Sequence, residues 1–85
     1  MPRSVFTEAY ASVVAALVAL RKEKRVSQVE LGKRIGRTQQ FVSYVEHCER
    51  RIDVVEFYVI ARALGADPAT LFSQLTRGLP PELKI

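Results

Sequence analysis

The stretch QVELGKRIGRTQQFVSYVEH, residues 28–47, leaves this chain few ways to fold. Leu31 and Ile35 stand one helical turn apart and supply the buried stripe of a short helix. Gly32 falls where that helix passes closest to its partner, so only a small side chain fits there. Gly36 ends the helix, because a tight exit needs a residue that tolerates positive φ. Thr38 then caps a second helix, in which Val42 and Val45 turn inward at a spacing of three. The pattern predicts two short helices joined by a tight turn. The second of them turns Gln39, Gln40, Ser43, Tyr44 and His47 outward, a polar face rich in hydrogen-bonding groups.

The flanking sequence predicts three further helices and no strand. An apolar face of Val13, Leu17 and Leu20, with Tyr10 and Val14 beside it, places a first helix from about Ser4 to Lys24. Ser27 caps the second helix. Asp53 caps a fourth, which runs to Leu64 with Val54, Phe57, Ile60, Ala61 and Leu64 facing the core and Gly65 stopping it. Asp67 followed by Pro68 is a restart signal, a capping carboxylate before a residue suited to the first helical position. The fifth helix presents Leu71, Phe72 and Leu75. After Gly78 the paired prolines of LPPELKI predict an extended tail. The reading is therefore all-α: a single domain over residues 1–78 and a tail over residues 79–85.

An 85-residue chain has room for one modest core, and at 48% hydrophobic with no low-complexity tract this one reads as folded. Its net charge of +4 is unevenly placed. Residues 21–51 hold nine basic residues against four acidic ones, +5, while the remainder sums to −1. The excess coincides with the two-helix motif and points to a polyanionic partner. A polar helix face set among cations suits the major groove of duplex DNA.

Other classes find no support in the residues. Cys48 is the only cysteine, which excludes an intrachain disulfide and fits the cytoplasm. His47 and Cys48 have no second pair, short of the four ligands of a structural zinc site, so no metal or cofactor is expected. Neighbours at a helix end diverge rather than form a nucleophilic pair. The acids Glu8, Glu23, Glu30, Glu56 and Glu82 suggest no paired-carboxylate site, and Glu30 and Arg34 read as a surface pair four residues apart. There is no glycine-rich phosphate loop, no sign of a small-molecule site and no reason to expect an enzyme. The apolar run from Val5 to Leu20 is broken by Thr7, Glu8 and Ser12 and is too short to span a bilayer.

Taken together, VSQVELGKRIG, RTQQFVSYVEH and ARALGADPATLF make residues 17–72 resemble the helix-turn-helix domain of the lambdoid phage repressors and Cro proteins, the XRE type. The resemblance implies a compact five-helix bundle of the lambda-repressor-like type, with helices two and three forming the helix-turn-helix. It also implies double-stranded DNA as partner, usually engaged by a homodimer on an inverted repeat, and no catalysis. Carried onto this sequence, Gln39, Gln40, Ser43 and Tyr44 match base-reading positions. Gln28 matches a residue that touches phosphate and braces the recognition helix, Thr38 and His47 match positions near the phosphates, and Arg21 with Glu46 matches a partly buried salt bridge. Two departures stand out. The family usually has glycine where this chain has Cys48, and often proline where it has Ile52; a non-glycine residue in the left-handed region costs on the order of 1 kcal/mol.

Each group has an ordinary reading beside the functional one. Gln39 and Gln40 offer the donor–acceptor pair that fits adenine N6 and N7, yet glutamine is also a good exposed helix former. Phe41 can meet a thymine methyl or fold under the loop beside Ile52. Tyr44 points outward, toward sugar or phosphate. Arg37, Arg50 and Arg51 flank the recognition helix as candidate phosphate clamps, with Lys24 and Arg25 behind them, though any of these can be solvated surface. The leading expectation is a sequence-specific transcriptional repressor that occludes a promoter. The alternative is a protein-binding adaptor or antitoxin-like inhibitor, motivated by the apolar Val5, Phe6, Ala9, Tyr10, Val13 and Val14, which also suit a homodimer seam.

Overall fold

In the computed structural model, which describes residues 7–85, five helices follow one another: α1 (Glu8–Glu23), α2 (Gln28–Ile35), α3 (Gln39–Glu46), α4 (Val54–Ala63) and α5 (Pro68–Thr76). Among the described residues there is no strand. Every helix opens on an extended residue whose side-chain oxygen accepts the amide three positions on. The pairs are Thr7 with Tyr10, Ser27 with Glu30, Thr38 with Phe41, Asp53 with Glu56 and Asp67 with Thr70. Thr7 corrects the sequence reading of α1. That reading ran the helix back to Ser4, whereas the cap sets its start at Glu8. Ser4, Val5 and Phe6 lie outside the described residues.

Four of the helices end alike. The amide of one residue bonds back three positions and the next amide bonds back five, the Schellman arrangement. Arg25 and Val26 close α1 in this way, Gly36 and Arg37 close α2, Cys48 and Glu49 close α3, and Gly65 and Ala66 close α4. The pivot needs positive φ, and the four values are 60° at Arg25, 76° at Gly36, 59° at Cys48 and 76° at Gly65. Cys48 thus keeps the turn that glycine makes in the resembling family, at a backbone cost of about 1–2 kcal/mol. Arg25 pays a similar penalty, which the sequence did not reveal.

α2 packs on α3 and α4, α1 on α3 and α5, and α4 on α5. The larger part of the core joins Val26, Leu31, Phe41, Val42, Val45, Ile60 and Leu64. A smaller part joins Leu17, Ala61 and Leu71, and Leu20 and Ile52 pack against both. Two expected core residues lie elsewhere. Val54 is 83% exposed, because a side chain at the first helical position leans back past the helix start instead of over the core. Phe72 is 57% exposed. Leu71 and Leu75 take the inward stripe of α5, leaving Phe72 on its shoulder, edge-on to Phe57 at 6.0 Å between ring centres. The tail is not simply extended either. Leu83 donates to the Pro80 carbonyl at 3.2 Å, a turn that suits proline at its second position, Pro81.

Candidate nucleic-acid interface

The position of α3 is fixed at both of its ends. Where α2 meets the turn, a methyl group on Gly32 would lie 2.9 Å from the carbonyl carbon and oxygen of Thr38 and 3.0 Å from the Arg37 oxygen. The start of α3 therefore rests directly on α2, and only glycine leaves that room. At the far end, Arg21 of α1 is 8% exposed and grips the Glu46 carboxylate through Nε and Nη2. Its remaining nitrogen, Nη1, donates to the Val26 carbonyl at 2.8 Å. The charge is thus buried with a partner for each donor group, which offsets its desolvation.

The chain of polar contacts continues outward. Gln28 donates to Glu46 Oε1 at 2.8 Å, and Gln39 donates to Gln28 Oε1 at 2.7 Å. A buried ion pair is so linked, amide by amide, to the first exposed residue of α3. Its effect is to orient Gln39 before any partner arrives. One turn along, Gln40 donates to the Tyr44 hydroxyl at 2.9 Å, and Tyr44 is 44% exposed. His47 Nδ1 lies 2.8 Å from the Ser43 carbonyl. The Ser43 hydroxyl oxygen lies 3.3 Å from the same ring nitrogen. Gln39, Gln40 and Tyr44 are exposed on α3, His47 is exposed at its C-terminal cap, and Ser43 is half-buried. Thr38 spends its oxygen on the Phe41 amide, leaving its hydroxyl proton to donate.

Phe41 takes the core: it is 8% exposed. Above its ring lie two guanidinium groups, Arg37 at 4.5 Å and Arg50 at 4.7 Å from the ring centre. Both also meet Glu56 of α4. Arg50 binds the two carboxylate oxygens at 3.0 Å each, and Arg37 Nη2 lies 3.5 Å from Oε2. Glu56 Oε1 further accepts the Asp53 amide at 2.9 Å, completing a capping box. The Arg50 guanidinium, and then the Asp53 amide, hold the Glu56 carboxyl below its ordinary range, and the same hydrogen bond raises Arg50. Arg51 lies over the Tyr10 ring at 4.8 Å, and the Tyr10 hydroxyl accepts the Ile52 amide at 3.2 Å. Burial pushes the Tyr10 phenol up, so it stays neutral. Lys24 and Arg25 are exposed beyond the end of α1.

The Arg21–Glu46 bridge and the Gln28 brace expected from the sequence are both present, whereas three further supports were not expected. Glu56 enters the sequence reading only among the acids that form no paired-carboxylate site, although Asp53 and Glu56 have the spacing of a capping box. Tyr10 as an anchor for the loop before α4 left no local signal. Arg34 pairs with Glu30 at 3.1 Å as their spacing predicts, but its bond to the Ala63 carbonyl at 2.9 Å, tying α2 to the end of α4, left no signal either. Cys48 is a half-buried free thiol. Among the described residues no three His, Cys, Asp or Glu side chains gather as a metal site would require. No helix there is long and apolar enough to cross a membrane.

Comparison with known proteins agrees with this geometry. The helix-turn-helix family model matches residues 17–71. An uncharacterised HTH-type transcriptional regulator, y4dJ, of Sinorhizobium fredii is 38% identical over 52 residues, 61% of this chain and 68% of that protein. An XRE-family-like protein from Pseudomonas syringae pv. tomato superposes with a TM-score of 0.80 at 40% identity, over 86% of this chain and 89% of the other. With its five helices, its glycine-tight turn and a match across more than half its length, the chain belongs to the XRE-type helix-turn-helix family.

Proposed function

We propose that this protein is a sequence-specific, double-stranded-DNA-binding transcriptional regulator that acts as a homodimer on an inverted repeat and represses by occluding a promoter. The observation that carries the reading is the exposed polar face of α3, held rigid at one end by Arg21–Glu46 and at the other by Gln28–Gln39. In this reading α3 enters the major groove. Gln39, Gln40, Ser43 and Tyr44 meet base edges, while Gln28, Thr38, His47, Arg37, Arg50 and Arg51 meet phosphates. Pre-orientation of Gln39 lowers the ordering cost of contact. Family membership and the basic 21–51 segment support DNA as partner. Binding of this kind needs neither catalysis nor cofactor, and its setting is the cytoplasm of a cell without a nucleus.

Support for the homodimer comes from a groove of about 200 Å³ between α1, α4 and α5, with Tyr10, Val13, Val54, Phe57, Phe72 and Leu75 along it and no residue of α3. A second copy seated there would leave both recognition helices uncovered. Selection from a random duplex library tests the proposal. The expected result is an enriched inverted repeat with half-sites about one helical turn apart. A pool that stays random after repeated rounds would refute it.

A further inference from the structure

Two cations from opposite ends of α3 converge on one acid. Arg37 belongs to the turn before the helix and Arg50 to the loop after it, yet both reach Glu56 across the Phe41 ring. We propose that Glu56 is an internal competitor for DNA phosphates, holding Arg37 and Arg50 and limiting the charge they deliver to the duplex. The inference rests on the DNA-binding reading and concerns the strength and salt dependence of that binding.

The geometry gives Glu56 a fixed place and the arginines a choice. The Glu56 side chain is 18% exposed and pinned by the Asp53 amide at 2.9 Å as well as by Arg50. It cannot swing away without breaking its bond to the Asp53 amide, one half of the capping box. Arg37 and Arg50 side chains are 49% and 40% exposed, so a phosphate can reach either from the solvent side. It must then share a guanidinium with a carboxylate 3.0 to 3.5 Å away. The three groups present one net positive charge where two arginines alone would present two. In counterion-release terms, the site gives up about one unit of salt slope that the arginines would otherwise contribute. The Phe41 ring keeps both guanidinium groups stacked in place while the carboxylate sets their charge.

The test is the salt dependence of binding to one duplex, measured for the full chain by fluorescence anisotropy between 50 and 200 mM salt. Glu56→Gln keeps an oxygen for the Asp53 amide, since glutamine also serves in a capping box, and circular dichroism checks that the helices remain. The expected result is tighter binding with a slope steeper by about one unit, so that the gain over wild type shrinks about fourfold across that salt range. In an Arg37→Gln, Arg50→Gln background the same Glu56 substitution is expected to leave the slope unchanged. An unaltered or shallower slope in Glu56→Gln would overturn the inference, as would equal steepening in the arginine-free background, which would reflect net charge alone. Should the glutamine variant not fold, Glu56→Asp keeps the net charge and shortens the reach. A partial steepening there supports the competitor and no change overturns it. Wild-type binding by itself tests the DNA-binding reading, and only the difference between variants tests the role of Glu56.

Discussion

At the scale of single residues, the backbone at Cys48 shows how much one φ angle discloses. Its value of 59° keeps a helix exit that glycine would adopt without strain. Cys48→Gly is therefore expected to raise stability by about 1 kcal/mol, read as a higher urea midpoint. A lower midpoint would mean the thiol contributes packing that outweighs the strain. The departure was legible because the family pattern has glycine there. Arg25 has the same geometry and was not legible, since arginine carries no mark of left-handed backbone. Gln40 makes a second residue-scale case. Among the described residues its one side-chain bond is to Tyr44, so Gln40→Ala should leave the fold intact. It is expected to cost about 1–3 kcal/mol of discrimination at one base pair while barely changing affinity for scrambled DNA. A uniform loss on both duplexes would place Gln40 outside base contact.

At the scale of elements, four of the five starting points could be read from the sequence because a capping oxygen before an apolar period is a local signal. Thr7 was missed for an equally local reason: the apolar period continues through Val5 and Phe6, and periodicity alone does not show where a helix stops. The inward faces of α4 and α5 were legible except at Val54 and Phe72, whose exposure depends on where each helix ends and which neighbour covers it. The link between α1 and α3 is a buried ion pair, Arg21 with Glu46. Arg21→Ala would leave Glu46 half-buried without its partner and free the Val26 carbonyl, and is expected to cost about 3 kcal/mol or more in chemical denaturation. A loss below about 1 kcal/mol would show that the pair behaves as a surface bridge.

At the scale of the whole molecule, charge sets both stability and partner. Glu56 is depressed by Arg50 and the Asp53 amide, and Asp67 by the Thr70 amide and hydroxyl. A carboxyl whose folded value lies below its unfolded one stabilises the fold above the ordinary carboxylate range, and that contribution disappears as pH falls through the folded value. The urea midpoint should therefore drop progressively below about pH 4, and drop less in a Glu56→Gln, Asp67→Asn variant. A midpoint that rises on acidification would reverse the sign assigned to both groups. The basic excess over residues 21–51 was visible in the sequence, and so were the Arg21–Glu46 and Glu30–Arg34 pairs, but the pairing of Arg37 and Arg50 with Glu56 was not. Which cations remain available is settled by contacts between residues far apart in the chain, as at Arg37 and Glu56.

Contact between the outward face of α3 and DNA is tested most directly by an amide-resolved NMR titration of the isotopically labelled protein with an enriched duplex. The largest shifts are expected between Thr38 and His47, with a second group at Arg50 and Arg51. Shifts concentrated instead on Val54, Phe57 and Phe72, with α3 unmoved, would contradict it.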